Sequence, residues 1–368
     1  MPAPFHAAAI IATKGLTPPG SERILMHHMH NYSASSVVSH SDFLSISQLR
    51  TQELLSLLAL SRDLRSKSFM AQSLRGKSIA MIFEKPSLRT RVTFEVAIRQ
   101  LGGWPVMLGS AESRLGEREP IQDLARNLSC WVEAIVARVF KHEDLENLAL
   151  FASVPVINGL SDQEHPCQTL ADLLTLSEIW PTFAGKELVY IGDWNNVSRS
   201  LWRVCGLAGL RFRAICPERY APSKEESVEW SDKPADVKGA DAIYTDVWAS
   251  MGQEKELAER IEFFRPYQVN EQLMAKTGKR TLFMHCLPAH RGQEVTDSVI
   301  ESENSVVFQQ AANRLPVEKA ILVTYMGVAE PMERTSRRAS VGARSGKRAV
   351  YHKEAVGGLD ANPDGEQL

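Results

Sequence analysis

The sequence predicts an α/β protein of two doubly wound domains, each with a central parallel sheet, joined by a hinge helix and closed by a C-terminal helix. Three observations predict it. Short apolar runs of strand length recur roughly every 25 to 35 residues, with amphipathic stretches of helix length between them, the signature of a parallel sheet covered by helices. A long helical segment, His165 to Trp180, divides these runs into two series. And 368 residues, 44% hydrophobic and 23% charged, are too many for one ordinary core and suit two.

The elements follow in order. Ser45 to Arg65 carries Leu49, Leu54, Leu55, Leu58 and Leu60 at helical spacing. Strands are expected at Ser78–Phe83, Pro105–Leu108, Ala134–Val139 and Val154–Asn158. After the hinge helix, Glu187-Leu188-Val189-Tyr190-Ile191-Gly192-Asp193 opens a second series, which continues near Arg213–Cys216, Ala242–Thr245 and Leu282–His285. Pro316 to Met326 reads as the closing helix. These runs divide the chain into an N-terminal extension (1–40), a first domain (41–178), a second domain with the closing helix (179–330) and a tail (331–368).

Both ends differ from the middle. Residues 1–40 hold Pro2, Pro4, Pro18, Pro19 and Gly20, then His27, His28 and His30. Scarce acid and frequent Ser and Ala suit an organelle leader, but Lys14 and Arg23 are its cations, and transit peptides are arginine-rich. The histidines suit a metal tract but lack partner ligands. A poorly ordered extension, or translation from an upstream start codon, is the reading adopted. Beyond Glu333, arginines and lysines sit among Ser, Gly and Ala, as in a solvated, disordered basic tail; Arg337-Arg338-Ala339-Ser340 also has the form of a basophilic kinase site.

Composition excludes several classes. A net charge of −2 provides no global field toward nucleic acid or anionic membrane. Five scattered cysteines without a CxxC pair suggest neither a disulfide framework nor a zinc ribbon, and a reducing compartment follows. No apolar run approaches the ~20 residues of a membrane helix.

Four segments carry chemistry. Lys85-Pro86-Ser87-Leu88-Arg89-Thr90-Arg91 follows a strand and opens a helix, so backbone N–H groups, hydroxyls and the fork of Arg89 converge at a helix N-terminus, where the dipole favours an anion. Alone, it reads more readily as a capped helix with surface arginines. His165-Pro166-Cys167-Gln168 opens the hinge helix; a lone histidine there is usually a satisfied core or capping residue. Asp246 to Glu254 follows one strand of the second series, and Met284-His285-Cys286-Leu287-Pro288-Ala289-His290 follows another, at the strand ends where α/β sheets bind ligands. His285, Cys286 and His290 match no common zinc spacing, so no metal is expected.

Together the four segments resemble the transcarbamoylase family from about Asp42 to Met326, and Asp246–Gly252 with His285-Cys286-Leu287-Pro288 resembles its ornithine branch. The resemblance implies transfer of the carbamoyl group of carbamoyl phosphate to the side-chain amine of L-ornithine. Ser87, Leu88 through its N–H, Arg89 and Thr90 are implied to bind the phosphate. Arg138, His165, Gln168, Cys286, Leu287 and Arg314 would complete the carbamoyl phosphate site. Asn196, Asp246, Ser250 and Met251 would hold ornithine, and Cys286, Arg138 and His165 would be the catalytic groups. Leu88 stands where the family has threonine, so a hydroxyl contact is missing. Arg114 stands where the family has glutamine, in the loop Leu108–Glu119 that resembles a segment reaching into a neighbouring subunit's site. No cofactor is implied, and a homotrimer or a multiple of trimers is; the cysteine usage suits a cytoplasmic location, or the mitochondrial matrix if the extension is a leader.

The implied mechanism follows from charge. Ornithine's side-chain amine, with a lysine-like pKa of ~10.4, must lose a proton before it attacks. Cys286 beside Asp246 is the family's candidate for that step, although an unperturbed thiol has a pKa of ~8.5. Arg138, His165 and Thr90 would stabilise the developing oxyanion, at about 3–4 kcal/mol per donor, and domain closure would exclude water. Three rivals stand beside this reading. N-acylated ornithine or putrescine are alternative acceptors, although putrescine lacks the α-carboxylate that Asp246-x-x-x-Ser250-Met251-Gly252 suits. Ile191-Gly192-Asp193 lacks the later glycines of a dinucleotide fingerprint. A catalytically inactive homologue that binds carbamoyl phosphate is motivated by Leu88 and Arg114.

Overall fold

A computed structural model describes residues 41–65, 72–109, 114–249 and 256–327; the extension, the tail, Ser250 and Met251 lie outside them. The first half runs α1 (Thr51–Asp63), β1 (Ser78–Phe83), α2 (Arg89–Gln100), β2 (Trp104–Leu108), α3 (Ile121–Leu128), β3 (Ala134–Arg138), α4 (His142–Phe151), β4 (Val156–Leu160) and the hinge helix α5 (Pro166–Ile179). Its four strands are parallel in the order β2-β1-β3-β4. The second half runs β5 (Glu187–Ile191), α6 (Asn196–Ala208), β6 (Arg211–Ile215), β7 (Trp230–Ser231), β8 (Ala242–Thr245), α7 (Leu257–Phe264), α8 (Glu271–Ala275), β9 (Leu282–His285), α9 (Asp297–Ile300) and α10 (Val307–Met326), with parallel order β7-β6-β5-β8-β9.

Period-2 alternation sets the layers. In β1 and β3, Ile79, Met81, Ala134 and Val136 enter one core, while Ala80, Ile82, Ile135 and Ala137 enter another under α3 and α4. Leu188, Tyr190, Ala242, Tyr244 and Met284 of the second sheet join the first of these cores. The same core takes in α5, whose residues from Pro166 to Leu176 are all buried, its apolar side chains in the core and its polar Gln168, Asp172 and Thr175 held by hydrogen bonds. Pro166 sits at its first position, where a missing N–H costs nothing. Val189, Ile191, Ile243 and Phe283 line the second sheet's outer face.

Two predicted helices differ from expectation. The segment from Ser45 is broken: Ile46–Gln48 is a 3-10 turn capped by Ser45, and α1 begins only at Thr51. The last helix begins at Val307, so Pro316 lies inside it. A proline signals a helix start by its fixed φ, but this one is buried among helices, where packing outweighs one lost backbone bond. α10 packs against α1, α2 and α5 of the first half and touches β9 of the second.

Both sheets place a topological switch at their strand C-termini. β1 is flanked by β2 and β3, β5 by β6 and β8, so the chain leaves in opposite directions beside each central strand and opens a crevice there. A register shift between Ala137 and Arg138 pairs them with Asn158 and Leu160, leaving Gly159 unmatched. A Cβ at Gly159 would meet the Ala137 carbonyl at 3.3 Å and the Thr90 methyl at 3.5 Å. Glycine is what lets β3, β4 and α2 meet so closely beside Arg138.

Candidate active site

The two crevices form one cleft of about 1020 Å³. Ser87, Leu88, Arg89, Thr90, Arg138, His165, Asn196, Asp246, Cys286, Leu287 and Arg314 all line it. Eleven residues spread over more than two hundred positions of sequence therefore meet at one place. Gln168 stands just behind the wall: its Oε1 accepts from Arg314 Nη1 at 2.7 Å and its Nε2 donates to Asp172 Oδ1 at 2.8 Å.

The first half of the cleft is built for an anion. Leu88 occupies the N-cap of α2 without a side-chain cap bond, and the first bond of the helix runs from Val92 N–H to Leu88 O. The N–H groups of the first turn therefore lack intrahelical partners. Thr90, 1% exposed, accepts at Oγ1 from Arg314 Nη2 at 3.0 Å and from Arg138 Nη1 at 3.5 Å. Its hydroxyl thus clamps two guanidinium groups from β3 and α10. Arg89 Nε donates to Leu287 O at 3.0 Å. Burial, then the charges of Arg314 and Arg89, pull Arg138 down to about 10, so it keeps its charge at neutral pH. Burial, then the charges of Arg314 and Arg138, push His165 well below its ordinary 6.5, so its imidazole is neutral. Among the described residues, buried Arg138 Nε and His165 Nδ1 find no hydrogen-bond partner, a capacity that functional sites leave unmet.

The second half is acidic. Asn195 caps α6, accepting at Oδ1 from Val197 and Ser198 N–H at 2.9 and 3.1 Å, and Gly209 ends the helix at φ 70. The same Asn195 donates from Nδ2 to Asp246 Oδ2 at 2.9 Å. Cys286 donates its thiol to Asp246 Oδ1 at 3.0 Å. Asp246 thus stands at the end of β8 with both oxygens held. Its surroundings and Asp246's charge push the Cys286 thiol well above its ordinary 9.0, so it is protonated. Asn196 donates to Ser161 O at 2.7 Å, bridging β5's end to β4's.

The β9 loop is held in an unusual conformation. Leu287 has φ 56 and precedes a cis Pro288. A leucine there is strained by about 1–3 kcal/mol, and its neighbours hold both of its backbone polar groups. Its N–H donates to His285 Nδ1 at 2.8 Å, and its carbonyl accepts from Arg89. Nδ1 being an acceptor, the proton of His285 sits on Nε2 and is donated to Glu294 at 3.2 Å. Asp246, His285 and Cys286 bring ligand atoms within 4.8 Å of one another. Both ring nitrogens of His285 are committed to the loop, however, so the trio is explained as scaffold and acid–thiol pair.

Sequence reasoning missed several groups. Asn195, adjacent to the expected Asn196, is the one bonded to Asp246; its cap position was the available signal. Arg260 of α7 donates to Asp193 at 2.8 Å and to Trp248 O at 3.0 Å, and lies over Tyr220, joining three loops of the acidic half. Asp172 and Glu318, both buried, brace the anion half and carry no motif.

The fold and this cleft define a two-substrate group-transfer enzyme whose donor is an anion. The chain belongs to the aspartate/ornithine carbamoyltransferase family: the carbamoyl-P binding domain model matches residues 41–178 and the Asp/Orn binding domain model residues 184–325. It is 48% identical over 303 residues to the ornithine carbamoyltransferase of Geobacillus stearothermophilus, spanning 77% of this chain and 97% of that one. Against the anabolic ornithine carbamoyltransferase of Pyrococcus furiosus it is 51% identical over 269 residues, 69% of this chain and 85% of the relative. The solved structure of an ornithine carbamoyltransferase from Pyrococcus furiosus superposes with a TM-score of 0.75 at 46% identity, covering 78% of this chain and 98% of that chain. That from Thermus thermophilus gives 0.73 at 44%, covering 78% and 99%.

Proposed function

We infer that this chain is an ornithine carbamoyltransferase, moving the carbamoyl group of carbamoyl phosphate to the side-chain amine of L-ornithine to give citrulline and phosphate. The observation that carries it is the meeting of an arginine-walled helix N-terminus with an acid–thiol pair across one cleft in a chain of this family. In this reading residues 41–178 form the carbamoyl phosphate domain and 179–330 the ornithine domain. Ser87, Arg89, Thr90, Arg314 and the Leu88 N–H hold the phosphoryl group, Arg138 and His165 the carbamoyl oxygen, with Gln168 behind them. Leu287 borders the donor through Arg89. Asp246 faces the ammonium of ornithine, and Asn196 its carboxylate after exchanging its bond to Ser161. Ser250 and Met251 complete the acceptor side.

The chemistry then follows. Asp246 and Cys286 favour an ornithine amine near them, and the amine gives up a proton before attack. Because the thiol is protonated, Cys286 acts by donating to Asp246; the ammonium's first proton goes to solvent before attack, and the second, shed by the nitrogen once it has added to the carbamoyl carbon, goes to the departing phosphate. The amine lone pair adds to the carbamoyl carbon, and the oxyanion is met by charged Arg138 and the neutral imidazole of His165. The tetrahedral adduct collapses, the bond to the phosphate oxygen breaks, and phosphate leaves with the electron pair.

Direction, assembly and location belong to the same proposal. Citrulline synthesis is favoured by the anabolic relative. A homotrimer is supported by the exposed apolar strip of Trp104 and Val106 on edge strand β2, with Val92. Free cysteines throughout support a reducing compartment such as the cytoplasm, and among the described residues no helix is long and apolar enough to cross a membrane. The test is citrulline formation from carbamoyl phosphate and L-ornithine, with putrescine, N-acetylornithine and aspartate in parallel. Turnover with ornithine alone, abolished by Arg89→Ala, is expected. Tight binding of carbamoyl phosphate without turnover of any acceptor would overturn the reading.

A further inference from the structure

Arg314 is the group through which the last helix enters the cleft, and a carboxylate grips it. Glu318, one turn further along α10 and fully buried, accepts at a single oxygen from Arg314 Nε at 3.1 Å and Nη2 at 2.7 Å. A guanidinium has five N–H donors in one plane. Nε goes to Glu318, the Nη2 pair to Glu318 and Thr90, and one Nη1 hydrogen to Gln168. One Nη1 hydrogen remains for a ligand, and the fixed plane decides where it points. Removing the grip would let the guanidinium turn about its last bonds, although its charge would stay.

We propose that Glu318 is a positioning residue for carbamoyl phosphate: it aims Arg314 into the cleft and, by its ionisation, sets how much of Arg314's charge the phosphoryl group meets. This rests on the carbamoyl phosphate site proposed above. The two effects oppose each other, which separates the pair from ordinary packing. A carboxyl of either charge holds the guanidinium, but only the carboxylate offsets it. Burial moves Glu318 up to about 7, against the pull of Arg314. Below that pH the carboxyl is neutral and the three arginines Arg89, Arg138 and Arg314 act undiminished; above it, one of their charges is offset.

Other charged groups facing the pair are few. α2 presents Thr93 to the carboxyl and Arg89 at its start; β3 presents Arg138. α5 presents His165 at its N-cap, which burial and Arg314 hold neutral, Cys167, whose thiol burial pushes far up, and Asp172, which acts on Arg314 and which burial raises to about 6. On α1, Glu53 acts on Tyr325 further along α10. Asp172 is thus ionised over most of the range in which Glu318 titrates.

The experiment is steady-state kinetics of the full chain from pH 6 to 9, with carbamoyl phosphate varied at saturating ornithine, for wild type, Glu318→Gln and Glu318→Ala. Comparing variants at each pH cancels the ligand's own titration. Glu318→Gln keeps an acceptor and loses the charge: its KM for carbamoyl phosphate should fall about 5-fold below wild type at pH 8.5, the low end of coupling between neighbouring sites, and converge with it at pH 6, with kcat nearly unchanged. Glu318→Ala should lose kcat at every pH. A constant ratio of KM values between wild type and Glu318→Gln, or the same behaviour from Gln and Ala, overturns the proposal. If neither variant folds, calorimetry of carbamoyl phosphate binding to wild type in two buffers of different ionisation enthalpy reads proton uptake near pH 7.5; uptake is expected, and its absence overturns the proposal. Wild-type turnover tests the carbamoyl phosphate reading separately, since an active wild type with a flat ratio sinks this inference alone.

Discussion

Replacing Thr90 by valine isolates the clamp at the centre of the anion site. The side chain is 1% exposed, and valine keeps its shape, so the change removes one hydroxyl and little volume. That hydroxyl accepts from Arg314 at 3.0 Å and from Arg138 at 3.5 Å. A hydrogen bond to a charged group contributes about 1.5–3 kcal/mol, and the 3.5 Å contact sits at the weak limit. Arg138 is aimed at charge that develops during transfer and Arg314 at the bound phosphoryl group, so the loss should appear in both kcat and KM and be read from their ratio. About 3 kcal/mol is expected, or roughly a hundredfold in kcat/KM for carbamoyl phosphate. Thr90→Ser provides the control: it keeps the acceptor and loses only the methyl packed against Gly159, about 1 kcal/mol of stability. Citrulline assays and urea midpoints on both variants separate the two costs. Serine should retain activity within about threefold, because its hydroxyl still clamps both arginines. Valine within fivefold of wild type, or serine as impaired as valine, would show that the arginines do not depend on this clamp.

Three further outcomes are expected. Asp246→Asn removes the carboxylate proposed to face ornithine's ammonium and should raise the ornithine KM about a hundredfold, leaving the carbamoyl phosphate KM within about threefold, since a lost charge-assisted bond costs up to about 3 kcal/mol; equal changes in both KM values would contradict the division of the cleft. Leu88→Thr adds a hydroxyl at an exposed position whose backbone is already helical, φ −74 and ψ −56, so it should lower the carbamoyl phosphate KM several-fold by kinetics while moving the thermal midpoint little, because a residue in helical conformation gains no N-cap bond. Because the Cys286 thiol is pushed above 9.0, it stays protonated as pH falls from there; Cys286→Ala should change the level of activity between pH 6 and 9 but not the shape of the profile, and a limb that disappears with the thiol would show it acting as a base.

Much of the site was legible because parallel sheets funnel chemistry to their strand ends. Ser87 to Thr90, Asp246 and Cys286 each directly follow an apolar run, so finding the strand finds the residue. Arg138 closes its strand for the same reason. What escaped is what helices supply from a distance. Glu318 and Asp172 sit within helices as unremarked polar residues, and only packing brings them behind Arg314 and Gln168. Asn195 was passed over for its neighbour because a cap is recognised by backbone geometry, and two adjacent asparagines look alike in sequence. Pro316 misplaced a boundary because its local preference for a helix start yields to burial between α1, α2 and α5.

The position of Arg314 has a consequence for how the molecule comes into being. Both sheets are encoded before residue 286, yet the anion half of the cleft waits for a helix that begins at Val307 and folds back onto the first half. A chain synthesised only as far as β9 holds both sheets and the acceptor residues Asp246 and Cys286, yet lacks the arginine that closes the donor side and the helix that completes the main core. Products of termination before Arg314 would likewise hold no complete donor site, so a chain can draw on its phosphorylated donor only once translation has passed this helix.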